Sequence, residues 1–277
     1  MAPADGPAPR MVPFASRYSY APANRCIYCG ASGSAAQRLG DEHIIPLSFG
    51  GNLILPRASC RACERLTTAI EDHCVKGMIS TARPHLGIAG RQKRRNPLSR
   101  GPVYIDTHAR RETRSAPIGE HPGAIIMPIA PYPAALAGAA LPDRDEPVSV
   151  RIAIKPMSAD LAARASKFTP GRVSLTKGLS ALMFYKFVAK IAHAYTAAEL
   201  GVESYTPFLI NLIRGEEPMH ASHFIGSGTG PPFDPPSVGI LHELNFIPQL
   251  NDLIVVRLRF FAELDMPTHY AVVGVLR

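Results

Sequence analysis

The chain has 277 residues, 46% of them hydrophobic, so it can bury the core of one large domain or of two ordinary ones. No stretch approaches the roughly 18 uninterrupted apolar residues of a membrane-spanning helix, so no membrane insertion is expected. The net charge of +8 comes from residues 1–100, with 14 Lys and Arg against 6 Asp and Glu, and such a local excess attracts polyanions.

The chain divides into four segments by composition. Residues 1–24 are rich in Pro, Ala and Ser and predict a disordered leader; they lack the pattern of a secretory signal, so we expect a cytoplasmic protein. A compact module is expected over residues 25–85. Residues 86–102 have the Gly, Pro and charge content of a basic linker, and residues 103–277 predict a mixed α/β domain of unassigned fold.

Four of the five cysteines form two CxxC pairs, Cys26 with Cys29 and Cys60 with Cys63. The odd count and the missing export signal argue against a disulfide framework. Two such pairs close together suit a tetrahedral Zn(II) site, because each pair presents two thiolates to one ion. A redox pair and unliganded thiols are the alternatives. Cys74 is predicted to be a small buried residue.

Between the two pairs lies the run DEHIIP (41–46), followed by a Gly-Gly-Asn loop. Hydrolysis of a phosphodiester needs an activated water and neutralisation of the phosphate charge. The imidazole of His43 suits the first task, because its ordinary pKa near 6.5 leaves it neutral at cellular pH. Glu42 precedes it on a strand and would point to the opposite face. A histidine at a strand end without a catalytic role is the alternative.

The order CIYCG, DEHIIP, GGN, CRACE resembles the HNH endonuclease family, in the branch whose ββα-metal fold is tied by four cysteines. The resemblance covers about 50 residues. It implies an α+β protein with an N-terminal zinc-bound HNH module. It also implies a metal-dependent endonuclease that hydrolyses DNA, with structural Zn(II) and catalytic Mg(II) or Mn(II).

The resemblance assigns roles to four residues of this module. His43 is the general base, and Glu42 and Glu64 hold the catalytic divalent ion. Asn52 pins the loop that orients His43, although turn preference alone would also explain an Asn there. Glu64 stands where the family usually has Asn or His, and a carboxylate remains a suitable ligand for Mg(II) or Mn(II). Glu71, seven residues on, is either a support for the site or a surface carboxylate, and its spacing favours the surface.

The densest positive run lies in the predicted linker. A solvated linker is one interpretation of this run, and contact with a DNA backbone is the other. The predicted DNA-binding residues are Arg91, Lys93, Arg94 and Arg95.

The C-terminal half combines strands with one long helix. Strands are predicted at 148–156, 252–264 and 269–277, the last two as an antiparallel hairpin. A helix is predicted over 179–200, ended by Gly201. Its polar residues fall on one stripe, for which a solvated face is the favoured interpretation and DNA contact the other; they are Lys186, Lys190 and His193.

Two classes of function are therefore open. The first is a metal-dependent HNH endonuclease acting on DNA. The alternative is a zinc-binding nucleic-acid recognition module that does not cleave, which the Glu at position 64 favours.

Overall fold

The computed structural model describes residues 10–13, 17–33, 38–88, 99–107, 110–168, 171–228, 235–247 and 252–277. Helices and strands are mixed, which confirms the predicted α+β class. The N-terminal elements are β1 Arg10–Pro13, β2 Tyr18–Ser19, β3 Gly40–His43, β4 Leu53–Ser59 and α1 Arg61–Met78. The remaining elements are β5 Arg100–Asp106, β6 Arg111–Pro117, β7 Ala124–Ile129, β8 Arg151–Pro156, α2 Leu161–Ser166, β9 Arg172–Ser174, α3 Ala181–Leu200, β10 Tyr205–Pro207, α4 Ile210–Arg214, α5 Ala221–Phe224, β11 Ile225–Ser227, β12 Ile240–Phe246, β13 Leu253–Phe260 and β14 Thr268–Leu276.

Strands β3 and β4 form an antiparallel hairpin, and α1 follows directly, which gives the predicted ββα order. A 3-10 turn over Leu47–Phe49 connects the strands and ends at Gly50 with φ of 92°. A side chain on Gly51 would collide with the backbone of Ile45, because its Cβ would lie 2.0 Å from that carbonyl oxygen. The two glycines are therefore required by the tight reversal between the strands.

The C-terminal half is built on an antiparallel sheet in the order β1-β12-β13-β14-β10, with β11 also paired to β14. Helix α3 contacts both this sheet and α1. It runs to the predicted end at Leu200, before Gly201. Because α3 is apolar on almost its whole circumference, other elements must pack against it on all sides, and α1 packs against one of these sides.

One hydrophobic core therefore crosses the predicted boundary between the module and the C-terminal domain. It contains residues of α1, β4, α3, β13 and β14 together. The predicted leader also differs from the structure, since β2 pairs in parallel with β4 and Tyr20 is buried. Strand β1 pairs with β12 of the C-terminal sheet. Backbone pairing and burial hold these parts of residues 1–24 in the fold.

The interpretation of the α3 polar stripe as a solvated face is wrong for two of its three residues. Lys190 and His193 are buried at 0% and 1% exposure, and Lys186 is partly buried. They can be buried because they meet polar groups of the N-terminal module. His193 donates from Nε2 to the carbonyl oxygen of Ile27 at 2.8 Å, and its Nδ1 accepts from the Tyr205 hydroxyl at 3.1 Å.

A second buried histidine connects the sheet to the hairpin loop. His242 on β12 donates from Nε2 to the carbonyl oxygen of Phe49 at 3.0 Å, and its Nδ1 accepts from the Phe261 amide at 3.3 Å. Both ring nitrogens are satisfied by the neutral tautomer. Burial lowers the pKa of His242 to about 3.

This histidine should make the protein sensitive to acid. Below a pH of about 6.5 the unfolded chain binds a proton at position 242 and the folded chain does not, so the free energy of unfolding falls until about pH 3. In His242→Gln, which cannot titrate, we expect the loss between about pH 7 and about pH 4.5 to shrink by about 2 kcal/mol. Urea unfolding at a series of pH values measures this, and equal losses in both proteins would contradict it.

Candidate active site and metal centre

The four paired cysteines converge on one point. Their Sγ atoms all lie within 4.8 Å of one another, and the atoms of Cys29 and Cys60 are 3.7 Å apart. A tetrahedral zinc ion with Zn–S bonds of about 2.3 Å has ligand–ligand edges of about 3.8 Å, so the donor set fits Zn(II). The first pair lies on a turn and the second at the start of α1. The cluster is compatible with the predicted structural zinc.

His43 ends strand β3, whose residues alternate between the interior and the solvent. Asp41 is exposed, Glu42 is buried and His43 is half-buried. Glu42 therefore points inward, whereas Asp41 and His43 share the outer face. The Asp41 carboxylate accepts from the backbone amide of Arg57 at 3.2 Å. This arrangement places an acidic residue that the sequence interpretation passed over on the same face as the proposed base.

The inward face of β3 meets Lys190, which reaches the hairpin from α3. Its Nζ lies 2.6 Å from Oε1 of Glu42 and 2.7 Å from Oε1 of Glu71. It also donates to the carbonyl oxygens of His43 and Ile44, the latter at 3.2 Å. We call this group, one ammonium and four oxygens, the Lys190 cluster. Glu71 is therefore a partly buried ion-pair partner, and the favoured interpretation of it as a surface carboxylate is wrong.

Burial and charge act against each other in the Lys190 cluster. Burial alone would lower the pKa of Lys190, but the charges of Glu42 and Glu71 raise it above its ordinary value. The pKa of Tyr28 is raised well above its usual range by burial, with the charges of Glu42 and Glu71 adding to the shift. The ammonium therefore stays protonated, and the neighbouring phenol stays neutral.

The environment of His43 favours the neutral imidazole. Burial, and then the charge of Lys190, lower the pKa of His43 below its ordinary value, while Glu71 and Asp41 act in the opposite direction. Its Nδ1 is buried and has no hydrogen-bond partner among the described residues. A half-buried neutral imidazole on the outer face of a strand can accept a proton from a water molecule.

A known family model, described as HNH endonuclease, matches residues 26–77, which contain the four clustered cysteines and His43. Residues 26–77 are similar to HNH endonucleases. The match covers about a fifth of the chain and confirms the resemblance read from the sequence. It indicates a nuclease-type function for this HNH segment. No curated protein and no solved structure matches the chain. Among the described residues, no helix is long and apolar enough to cross a membrane.

The remaining predicted residues of the HNH segment differ in their surroundings. Asn52 is buried just before β4, and its backbone carbonyl oxygen accepts a hydrogen bond from the backbone amide of Tyr18 at 3.0 Å. Its role in orienting His43 stays a prediction. Glu64 is exposed in the first turn of α1, beside Gly40 at the start of β3. The predicted DNA-binding residues, Arg91, Lys93, Arg94 and Arg95, lie outside the described residues.

The catalytic ion predicted from the resemblance does not fit the position of Glu42. That carboxylate is buried and already paired with Lys190, whereas Glu64 faces solvent. Within the described part of the chain, the four cysteines are the only group of three or more potential ligands close enough to hold one ion. An ion held jointly by Glu42 and Glu64 would first have to displace the ammonium.

Sequence interpretation missed Lys190 as a partner of the HNH segment. Lys190 and His43 are 147 positions apart, so no local spacing relates them. A signal was nonetheless present, because Lys190 lies in the run FVAKIAHAY, where apolar residues surround it on a helix. A lysine without a solvent-exposed face is predicted to need a buried counter-charge.

Zinc should be required for folding. We expect purified protein to contain about one zinc per chain, and Cys60→Ser to lose both the metal and the cooperativity of unfolding, because metal binding and folding of such a site are coupled. Elemental analysis and denaturant unfolding measure the two effects. Cys74→Ala is the matched control, since Cys74 lies outside the cluster and donates to the Met183 carbonyl; it should keep its zinc. A metal-free protein that folds normally would contradict the site.

Removal of the Lys190 ammonium should destabilise the fold strongly. Lys190→Met leaves the buried carboxylate of Glu42 and the partly buried carboxylate of Glu71 without a cation, and loss of one partner of a buried ion pair typically costs about 3–5 kcal/mol. Addition of Glu42→Gln to Lys190→Met should recover roughly 1–3 kcal/mol, because the amide carries no charge. Lys186→Met, one turn earlier and only partly buried, should cost less than about 1 kcal/mol. Denaturant unfolding of the four proteins measures this, and similar losses at positions 186 and 190 would contradict the ion-pair assignment.

Proposed function

We propose that the protein is a metal-dependent HNH endonuclease that hydrolyses DNA phosphodiester bonds with His43 as the general base. The observation that supports this most directly is the position of His43. It lies on the outer face of a ββα hairpin tied by four clustered cysteines, within the segment that matches the HNH endonuclease family. The half-buried imidazole is held by a strand and remains open to solvent on one side.

In the proposed reaction, His43 accepts a proton from a water molecule as the water oxygen attacks phosphorus. The new P–O bond forms in line with the P–O3′ bond that breaks, and the leaving 3′ oxygen takes a proton from solvent. The charge that develops on the phosphate oxygens would be neutralised by a Mg(II) or Mn(II) ion when one is bound. Glu64 is exposed and could contribute to such an ion, whereas Glu42 is paired with Lys190.

DNA is the proposed substrate because positive charge is concentrated in the sequence that flanks the HNH segment. Residues 1–100 hold all of the net positive charge of the chain, and residues 78–100 alone hold six Lys and Arg and no Asp or Glu. The run of Arg91, Lys93, Arg94 and Arg95 begins 14 positions after the end of the HNH segment and is proposed to contact the phosphate backbone. Such contacts would supply affinity and leave the chemistry to His43.

A second candidate function is a zinc-binding nucleic-acid recognition module that does not cleave. Two observations favour it. Glu64 replaces the residue expected after the last cysteine, and Glu42 is committed to an ion pair. In this case the cysteine segment would serve as a nucleic-acid-binding scaffold and His43 as a structural residue.

His43→Ala distinguishes the two candidates. We expect it to lower the rate of plasmid nicking by about 10²–10⁴, the usual cost of losing a general base, without change in zinc content or DNA affinity. Nicking of supercoiled plasmid with Mg(II), Mn(II) or EDTA measures the rate. His73→Gln is the matched control in the same segment, since its ring accepts from the Ser180 amide and Gln can still accept; it should nick at the wild-type rate.

Two outcomes would reject the proposal that the protein is a nuclease with His43 as its general base. Equal nicking by wild type and His43→Ala, in preparations free of contaminating nuclease, would remove His43 from catalysis. DNA binding by wild type without nicking under any metal condition would support the recognition module.

A further inference from the structure

The Lys190 cluster has the composition of a cation-binding shell. Two carboxylate oxygens, from Glu42 and Glu71, and two carbonyl oxygens, from His43 and Ile44, surround the ammonium nitrogen. Carboxylates and backbone carbonyls are also the ligands that hard divalent cations prefer in proteins. Here the chain supplies the cation itself, from a helix outside the segment that matches the HNH family.

This internal cation cannot exchange readily with solvent. Lys190 has no exposed surface, and the Glu42 and Glu71 side chains are only 5% and 15% exposed. Hydrogen bonds between ionised groups at 2.6–2.7 Å are the strong kind. Movement of the lysine out of the cluster would leave two carboxylates buried without a counter-charge. An arriving divalent ion therefore competes with a covalently attached, fully desolvated ammonium.

We propose that Lys190 is a built-in cation that occupies Glu42, so that Glu42 is a structural counter-ion and not a ligand of a catalytic divalent ion. Lys190 is at the same time a positioning residue, because it holds the backbone carbonyls of His43 and Ile44. The relevance of this assignment to cleavage rests on the proposed function. Its test is a measurement of metal binding, so the two can fail separately.

The first test asks whether Glu42 contributes to divalent-metal affinity. Zinc-loaded full-length protein is titrated with Mn(II), and free Mn(II) is measured by electron paramagnetic resonance. We expect Glu42→Gln to change the Mn(II) dissociation constant no more than Asp72→Asn does. Asp72→Asn removes the same charge from an exposed position of α1, next to Glu71 in the sequence, and is the matched control.

The second test asks whether removal of the ammonium creates a metal site. In Lys190→Ala, two carboxylates and two carbonyls would face the space that Nζ fills in wild type. We expect this variant to bind Mn(II) at one position more than wild type, and Lys190→Ala with Glu42→Gln to lose that added position. If Lys190→Ala does not fold, the comparison of Glu42→Gln with Asp72→Asn alone decides.

Two results would overturn the proposal. The first is a loss of Mn(II) affinity of about tenfold or more in Glu42→Gln without a similar loss in Asp72→Asn, since that would make Glu42 part of a divalent-metal site, as a ligand or directly behind one. The second is a folded Lys190→Ala that binds no additional Mn(II). If the zinc-loaded wild-type protein binds no Mn(II), that result would support the assignment of Glu42 as a structural counter-ion and count against metal-dependent cleavage.

Discussion

The ammonium of Lys190 constrains the HNH segment and the C-terminal half at the same time. It contacts the carboxylates of Glu42 and Glu71 in the HNH segment. If the two parts of the chain separated, these three charges would either be exposed to solvent or remain buried without a partner. The same nitrogen holds the backbone at His43 and Ile44. The strand that carries the proposed base is therefore positioned from behind by a helix that lies outside the family match. A short segment with four clustered cysteines is held in this way by contacts from the rest of the chain.

Two buried histidines, His193 and His242, also connect the C-terminal half to the HNH segment through hydrogen bonds to backbone carbonyls. Lys190, His193 and His242 all donate hydrogen bonds to backbone carbonyls of residues 27–49. Buried carbonyls need donors, and loops between short elements leave many of them unpaired. The C-terminal half supplies these donors from side chains, so the irregular parts of the HNH segment can be buried in the shared core.

The sequence predicted well what depends on neighbouring residues. The convergence of the two CxxC pairs follows from turn chemistry, and the end of α3 before Gly201 follows from helix signals. The ββα order follows from the family resemblance, and the structure agrees with all three. It predicted poorly what depends on distant partners. Lys190 and His193 fall on one stripe of α3, and a polar stripe usually faces solvent. Their partners in the HNH segment lie more than 100 positions away in the sequence. The surroundings of Glu42 were missed for the same reason, since its partner could not be read from nearby residues.

The separation of 147 residues between His43 and Lys190 also orders the events of synthesis. The cysteines and His43 leave the ribosome long before α3 does. Until α3 packs against α1, Glu42 and Glu71 have no internal cation, and the inward face of β3 cannot be buried without cost. The four cysteines of the nascent chain can therefore come together early, but the strand of the proposed base is completed only when the C-terminal half has been made. A prematurely terminated chain would carry the family motif without a completed site.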